Sequence, residues 1–214
     1  MPKSAYATLL VFVFAISGLA YVLASGPERL PEFDYARYLP ASELDAPVKI
    51  AVIEDLRCPG CRIAHMEVLP KALEVSASEP APALVHIAYP VARTDSLALN
   101  VLARSYARHH RRDVGEVNDL LFAADSPRLS LEQAEQLLEQ RYGAIDPQQR
   151  GSIEQAVEKQ LREDIRYLRS LGISTVPTVI VNGTVLHGPK AEVLAEHIRA
   201  AQLPQPLALA SPEP

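Results

Sequence analysis

Cysteine is scarce in this chain: its 214 residues contain two. That number excludes a small domain stapled by several disulfides, so the fold must stand on packing. Two cysteines also cannot by themselves complete a tetrahedral zinc site. The six histidines, His65, His86, His109, His110, His187 and His197, show no metal-ligand spacing and read as surface or cap residues. Positive charge is not in excess either. Lys and Arg number 21 against 26 Asp and Glu, a formal charge of -5, which offers nucleic acid no basic face. Apolar residues, by contrast, make up 48% of the chain. That is enough for one domain with a sizeable core and too much for a disordered polymer.

One stretch lacks charge altogether. From Ala5 to Ala24 the chain is dominated by Leu, Val, Phe, Ala and Ile, and about 20 residues at 1.5 Å each span a bilayer core of about 30 Å. Lys3 and the amino terminus precede it, whereas Glu28, Glu32 and Asp34 follow with only Arg29 among them. This bias leaves the amino terminus in the cytoplasm and exports the rest. Residues 1–25 are therefore expected to be a single transmembrane anchor or a signal peptide. The uncleaved anchor is favoured because the run exceeds the roughly 7–15 residues of a signal-peptide core. Residues 26–47, with Pro27, Pro31, Pro40 and Pro47 among charged residues, read as a linker in which Phe33, Tyr35, Tyr38 and Leu39 can dock on the fold.

The compact domain is expected over residues 48–202. Val48 to Ile53 is a β-branched run of strand length, and Ala83 to Tyr89, closed by Pro90, is a second. Thr94 to Leu171 is a block of helices. Asp95 or Ser96 can cap one through Tyr106, Ser130 with Gln133 makes a capping box for another, and Asp146-Pro147 opens a third that Gly172 closes. Thr178 to Val181 and Thr184 to Leu186 flank Asn182-Gly183, a strong hairpin signal. A last helix runs from Lys190 to about Ala201, and residues 203–214, rich in proline, read as a disordered tail.

Both cysteines fall where the first strand hands over to a helix, as Cys58-Pro59-Gly60-Cys61. At a helix N-terminus the free backbone N–H groups and the dipole favour a thiolate, which lowers the pKa of Cys58. Cys61 lies one turn on, on the same face and more buried, so Cys58 is the exchanging sulfur and Cys61 the resolving one. Pro59 suits the first helical turn, and Gly60 puts no side chain over the sulfurs. Glu54 and Asp55 would raise a thiol pKa, Arg57 and Arg62 would lower it, and the sequence does not fix the balance. A zinc or copper site that adds His65 and His86 to the cysteines is the minor reading, and Asp55 reads as a surface or cap carboxylate.

Ile53 to Cys61, the helical block, and Gly172-Ile173-Ser174-Thr175-Val176-Pro177-Thr178-Val179-Ile180-Val181-Asn182-Gly183 together resemble the DsbA-like thiol-disulfide oxidoreductases of bacterial envelopes. The resemblance implies an α/β, thioredoxin-like fold with an inserted helical domain at about 94–171. It also implies a cis proline at Pro177, facing the sulfurs, with the Val176 backbone pairing with a substrate strand. The implied activity is disulfide exchange with exported proteins through a Cys58 mixed disulfide, with the oxidase direction favoured over the reductase one. No metal or cofactor is implied. The implied partner is a redox protein of the inner membrane, a quinone-linked oxidase or a reductant, and a monomer is expected because residues 26–47 are too short for a dimerisation domain. One residue departs from the pattern. The strong oxidants of the family often carry histidine where Gly60 stands, and that histidine helps stabilise the thiolate. A reading from another class is a non-catalytic thioredoxin-fold module for partner binding, chaperoning or metal delivery.

Overall fold

The computed structural model describes residues 28–30, 32–76 and 80–203. The expected membrane or signal segment and the tail beyond Leu203 lie outside them. Among the described residues no helix is long and apolar enough to cross a membrane.

Four strands form one sheet: β1 (Lys49–Glu54), β2 (Ala83–Ala88), β3 (Thr178–Val181) and β4 (Thr184–His187). Their order is β2-β1-β3-β4, with β1 parallel to β2 and antiparallel to β3. The run in β1 is apolar on both faces because both are covered. Ile50 and Val52 pack with α2 (Leu69–Ser76) and α7 (Ala191–Gln202), whereas Ala51 and Ile53 face Leu168, Ile173 and the segment before β1. Asn182 takes the left-handed conformation at the hairpin, φ 44°, and its Oδ1 accepts the Lys49 N–H at 2.7 Å.

Between β2 and β3 lies the helical insertion: α3 (Ser96–His110), α4 (Val114–Ala123), α5 (Leu131–Tyr142) and α6 (Pro147–Ser170). Its own core gathers Leu99, Tyr106, Val117, Leu121, Phe122 and Leu138, and Leu56 and Cys61 enter that core from the β1 side. The Ser130–Gln133 capping box is formed. Gly172, at φ 81°, closes α6 with Ile173 N–H donating to Leu168. Asp95 precedes α3 as expected but makes no capping bond, because its carboxylate is drawn to Arg57 at 2.9 Å. Helix α4 was not singled out by the sequence, although Asp113 caps it through the Gly115 N–H.

The described residues of the expected linker pack on the fold through the apolar side chains expected to dock. Leu30, Phe33, Tyr35 and Leu39 are buried against the sheet, and burial of each such side chain contributes about 2 kcal/mol. Arg29 pairs with Thr184 beside β4, Arg37 binds the buried Asp164 at 2.9 Å, and Asp34 N–H donates to Tyr167 at 2.7 Å. The described residues 32–46 thus form a strap that ties the sheet to α6.

Candidate active site

The sheet delivers the cysteines. Strand β1 ends at Glu54, a short turn follows, and Cys58 is the N-cap of α1 (Pro59–Ile63) with Pro59 in its first turn. A π turn over Ala64–Val68 carries α1 into α2. Both cysteines are free thiols, Cys58 partly exposed and Cys61 fully buried.

Cys58 Sγ accepts the Cys61 backbone N–H at 3.3 Å, and Cys61 Sγ accepts the Asp55 N–H at 3.4 Å. The two thiols are driven apart electrostatically. Cys58 is lowered to about 6, foremost because the Cys61 thiol donates toward its sulfur, with the Cys61 and Gly60 N–H groups assisting and partial burial and Asp55 opposing. Cys61 is raised far above the ordinary thiol range by burial first, then by the hydrogen bond its thiol gives Cys58 and by the negative charge there. Of the four nearby charges, both carboxylates act in the expected direction, Asp55 raising Cys58 and Glu54 raising Cys61. Arg57 instead donates to Ser126 O at 2.9 Å and to Leu129 O, and Arg62 donates to Phe122 O at 2.8 Å.

Opposite the sulfurs, the Val176–Pro177 peptide is cis. A Cβ placed on Gly60 would lie 3.5 Å from Pro177 Cδ and 3.7 Å from Cys58 Sγ, so these three residues enclose one small space. Val176 and Cys58 both pack on the Leu56–Phe122 core. All six residues singled out from the sequence, Cys58, Pro59, Gly60, Cys61, Val176 and Pro177, therefore meet. A cleft of about 630 Å³ between α3, α5 and α6, lined by Leu97, Val101, Leu131 and Arg150 among others, includes neither cysteine.

Three readings of individual residues need correction. Asp55 is no surface carboxylate: it is fully buried. Its Oδ1 accepts from Arg57 N–H at 3.0 Å and Asn100 Nδ2 at 3.1 Å, and its Oδ2 from Val91 and Ala92 N–H at 2.9 and 2.7 Å. It staples the active-site turn to the loop after β2. His65 and His86 are not surface residues either, with side chains only 4% and 8% exposed. Both donate to the buried Glu54, at 3.0 and 2.9 Å through Nδ1, and His65 Nε2 also meets Asp119 at 2.7 Å. Burial opposes charge on His65, but Glu54 and Asp119 outweigh it and raise its pKa. Burial likewise opposes the Glu54 charge, and the two histidines hold that carboxylate down at about 2. The available signal was position: Glu54 and Asp55 end a buried strand immediately before the cysteine turn.

Residues 42–199 match the family profile described as Thioredoxin. The chain belongs to the thioredoxin family. Among solved structures it is similar to a periplasmic thioredoxin-like protein from Salmonella enterica serovar Typhimurium, at 14% identity and TM-score 0.61, covering 80% of this chain and 94% of that one. It is similar also to oxidised BdbD from Bacillus subtilis, at 17% identity and TM-score 0.60, covering 82% and 97%. DsbA from Chlamydia trachomatis follows the same path at 19% identity and TM-score 0.54, covering 82% and 96%. At these identities the likeness is one of fold, and the DsbA-type architecture expected from the sequence is the one observed. No curated protein sequence matches the chain.

Proposed function

We propose that this protein is a thiol-disulfide oxidoreductase of the cell envelope that exchanges disulfides with exported proteins, as an oxidase rather than a reductase. The observation that carries the reading is the asymmetry of the two sulfurs: Cys58, partly exposed, is lowered to about 6, while buried Cys61 is raised. In the oxidised form a substrate thiolate attacks Cys58 Sγ, the S–S bond breaks, and Cys61 leaves with the electron pair and is protonated. A second substrate thiolate then attacks the substrate sulfur of the mixed disulfide. Cys58 departs as a thiolate, and the substrate has lost two electrons to the pair. A low pKa makes Cys58 the better leaving group, and stabilising the reduced form in this way raises the oxidising power.

Val176 supplies backbone for an added substrate strand beside Pro177. The uncharged run Ala5 to Ala24 supports a single-pass anchor that holds the domain outside the cytoplasmic membrane, where a quinone-linked partner re-oxidises it. A Cys61→Ser variant tests the reading, because a mixed disulfide that its Cys58 forms by attacking a substrate disulfide has no Cys61 thiol to release it. Adducts on Cys58 that dithiothreitol releases are expected from envelope extracts. Their absence, together with no turnover of a reduced substrate by the native chain, would favour a non-catalytic module.

A further inference from the structure

Glu54 ends β1, His65 sits in the π turn below the cysteine helix, and His86 lies in β2. These residues are distant in sequence, yet one carboxylate oxygen and one ring nitrogen from each histidine lie within 4.8 Å of one another. We propose that Glu54, His65 and His86 form a binding site for a divalent transition-metal ion, zinc in the first instance, separate from the two sulfurs.

Four observations carry this. First, both imidazoles present the same atom, Nδ1, to the same carboxylate, at 3.0 Å to Oε2 and 2.9 Å to Oε1. Donor atoms around a tetrahedral zinc stand about 3.3 Å apart, given bonds of about 2.0–2.1 Å, and the two nitrogen-to-carboxylate spacings already come within a few tenths of an ångström of that. Second, the remaining nitrogen of His65 is held by Asp119 at 2.7 Å, the outer carboxylate that orients a metal-bound histidine and fixes its tautomer. Third, Asn118 Nδ2 touches Glu54 Oε1 at 2.8 Å, and rotating that amide by half a turn presents its oxygen as a fourth ligand. Fourth, α4 carries glycine where it meets His86: a Cβ at Gly115 would lie 2.9 Å from the His86 ring. Two imidazoles and a carboxylate suit zinc, whereas calcium takes oxygen ligands alone.

With the metal on both Nδ1 atoms, each ring is neutral and carries its one proton on Nε2: His65 gives up its Nδ1 proton to solvent and goes on donating to Asp119 through Nε2, and the His86 proton moves from Nδ1 to Nε2. His86 also lines a cleft of about 400 Å³ together with Asp113, Asp164, Arg37 and Arg104. No thiol takes part, so the site stands or falls independently of the proposed disulfide exchange.

The test uses the full chain carrying Cys58→Ser and Cys61→Ser, which removes thiolate ligation. One equivalent of Zn²⁺ per chain is expected by equilibrium dialysis, and Ca²⁺ is not expected to compete. Asp119→Asn, at a carboxylate 67% exposed, should leave the fold intact and weaken zinc binding by about 10–100-fold. His86→Gln should weaken it further. Co²⁺ in the otherwise native reduced chain should give visible d–d bands without a thiolate charge-transfer band. Failure of the cysteine-free chain to bind Zn²⁺, or undiminished affinity in both variants, would overturn the proposal.

Discussion

The backbone N–H of Cys61 points at Cys58 Sγ from 3.3 Å, and the Cys61 side chain is the largest single influence on Cys58. The resolving cysteine is therefore part of what makes its partner reactive. Replacing Cys61 with Ala removes the thiol donor but keeps the backbone one. The pH at which Cys58 alkylation is half-maximal should rise from about 6 by about one pH unit or more, each unit corresponding to about 1.4 kcal/mol. An unmoved half-point would mean that the helix terminus alone sets the thiolate.

Gly60 has room for a side chain, since a Cβ there makes only ordinary contacts with Pro177 and Cys58. Gly60→His should fold and place a donor near the Cys58 thiolate. A charge-assisted hydrogen bond of about 1.5–3 kcal/mol corresponds to about 30–60 mV, so titration against glutathione should find a more oxidising potential by that amount.

Asp55 accepts four hydrogen bonds in complete burial. Asp55→Ala strands those donors and should cost about 3 kcal/mol or more in urea denaturation. It also removes a negative charge that raises the Cys58 pKa, so the thiolate should form at lower pH while stability falls. Both changes in one variant would separate Asp55 from a purely structural residue.

These residues mark how far the sequence could be read. The strands were legible from β-branched runs, the hairpin from Asn182-Gly183, and the cysteine pair from its place between strand and helix. Pro177 became legible only through a family resemblance, because spacing cannot bring two segments more than a hundred residues apart into contact. In the segment before β1, prolines and charges describe local stiffness, and only the apolar side chains Phe33, Tyr35, Tyr38 and Leu39 signal where it docks. His65 and His86 read as bland because the carboxylate that unites them, Glu54, is a tertiary neighbour of both.

Proton linkage gives a prediction for stability. Cys58 in the reduced fold titrates near 6 against an ordinary value of 9.0, so between those values the unfolded chain binds more protons than the folded one. The contribution is present above about 9 and is lost as pH falls toward about 6. The raised Cys61 pKa opposes it only once the unfolded thiols ionise, above about 9. The denaturation midpoint of the reduced protein, compared with Cys58→Ser, should therefore climb between about pH 6 and 8.

The division of labour between the sulfurs is most directly tested by alkylating the reduced, native chain with iodoacetamide across pH and locating the modified cysteine by mass. The account predicts a single modified residue, Cys58, with a half-point near 6. Equal modification of Cys58 and Cys61, or a half-point near the ordinary thiol value of 9.0, would contradict it.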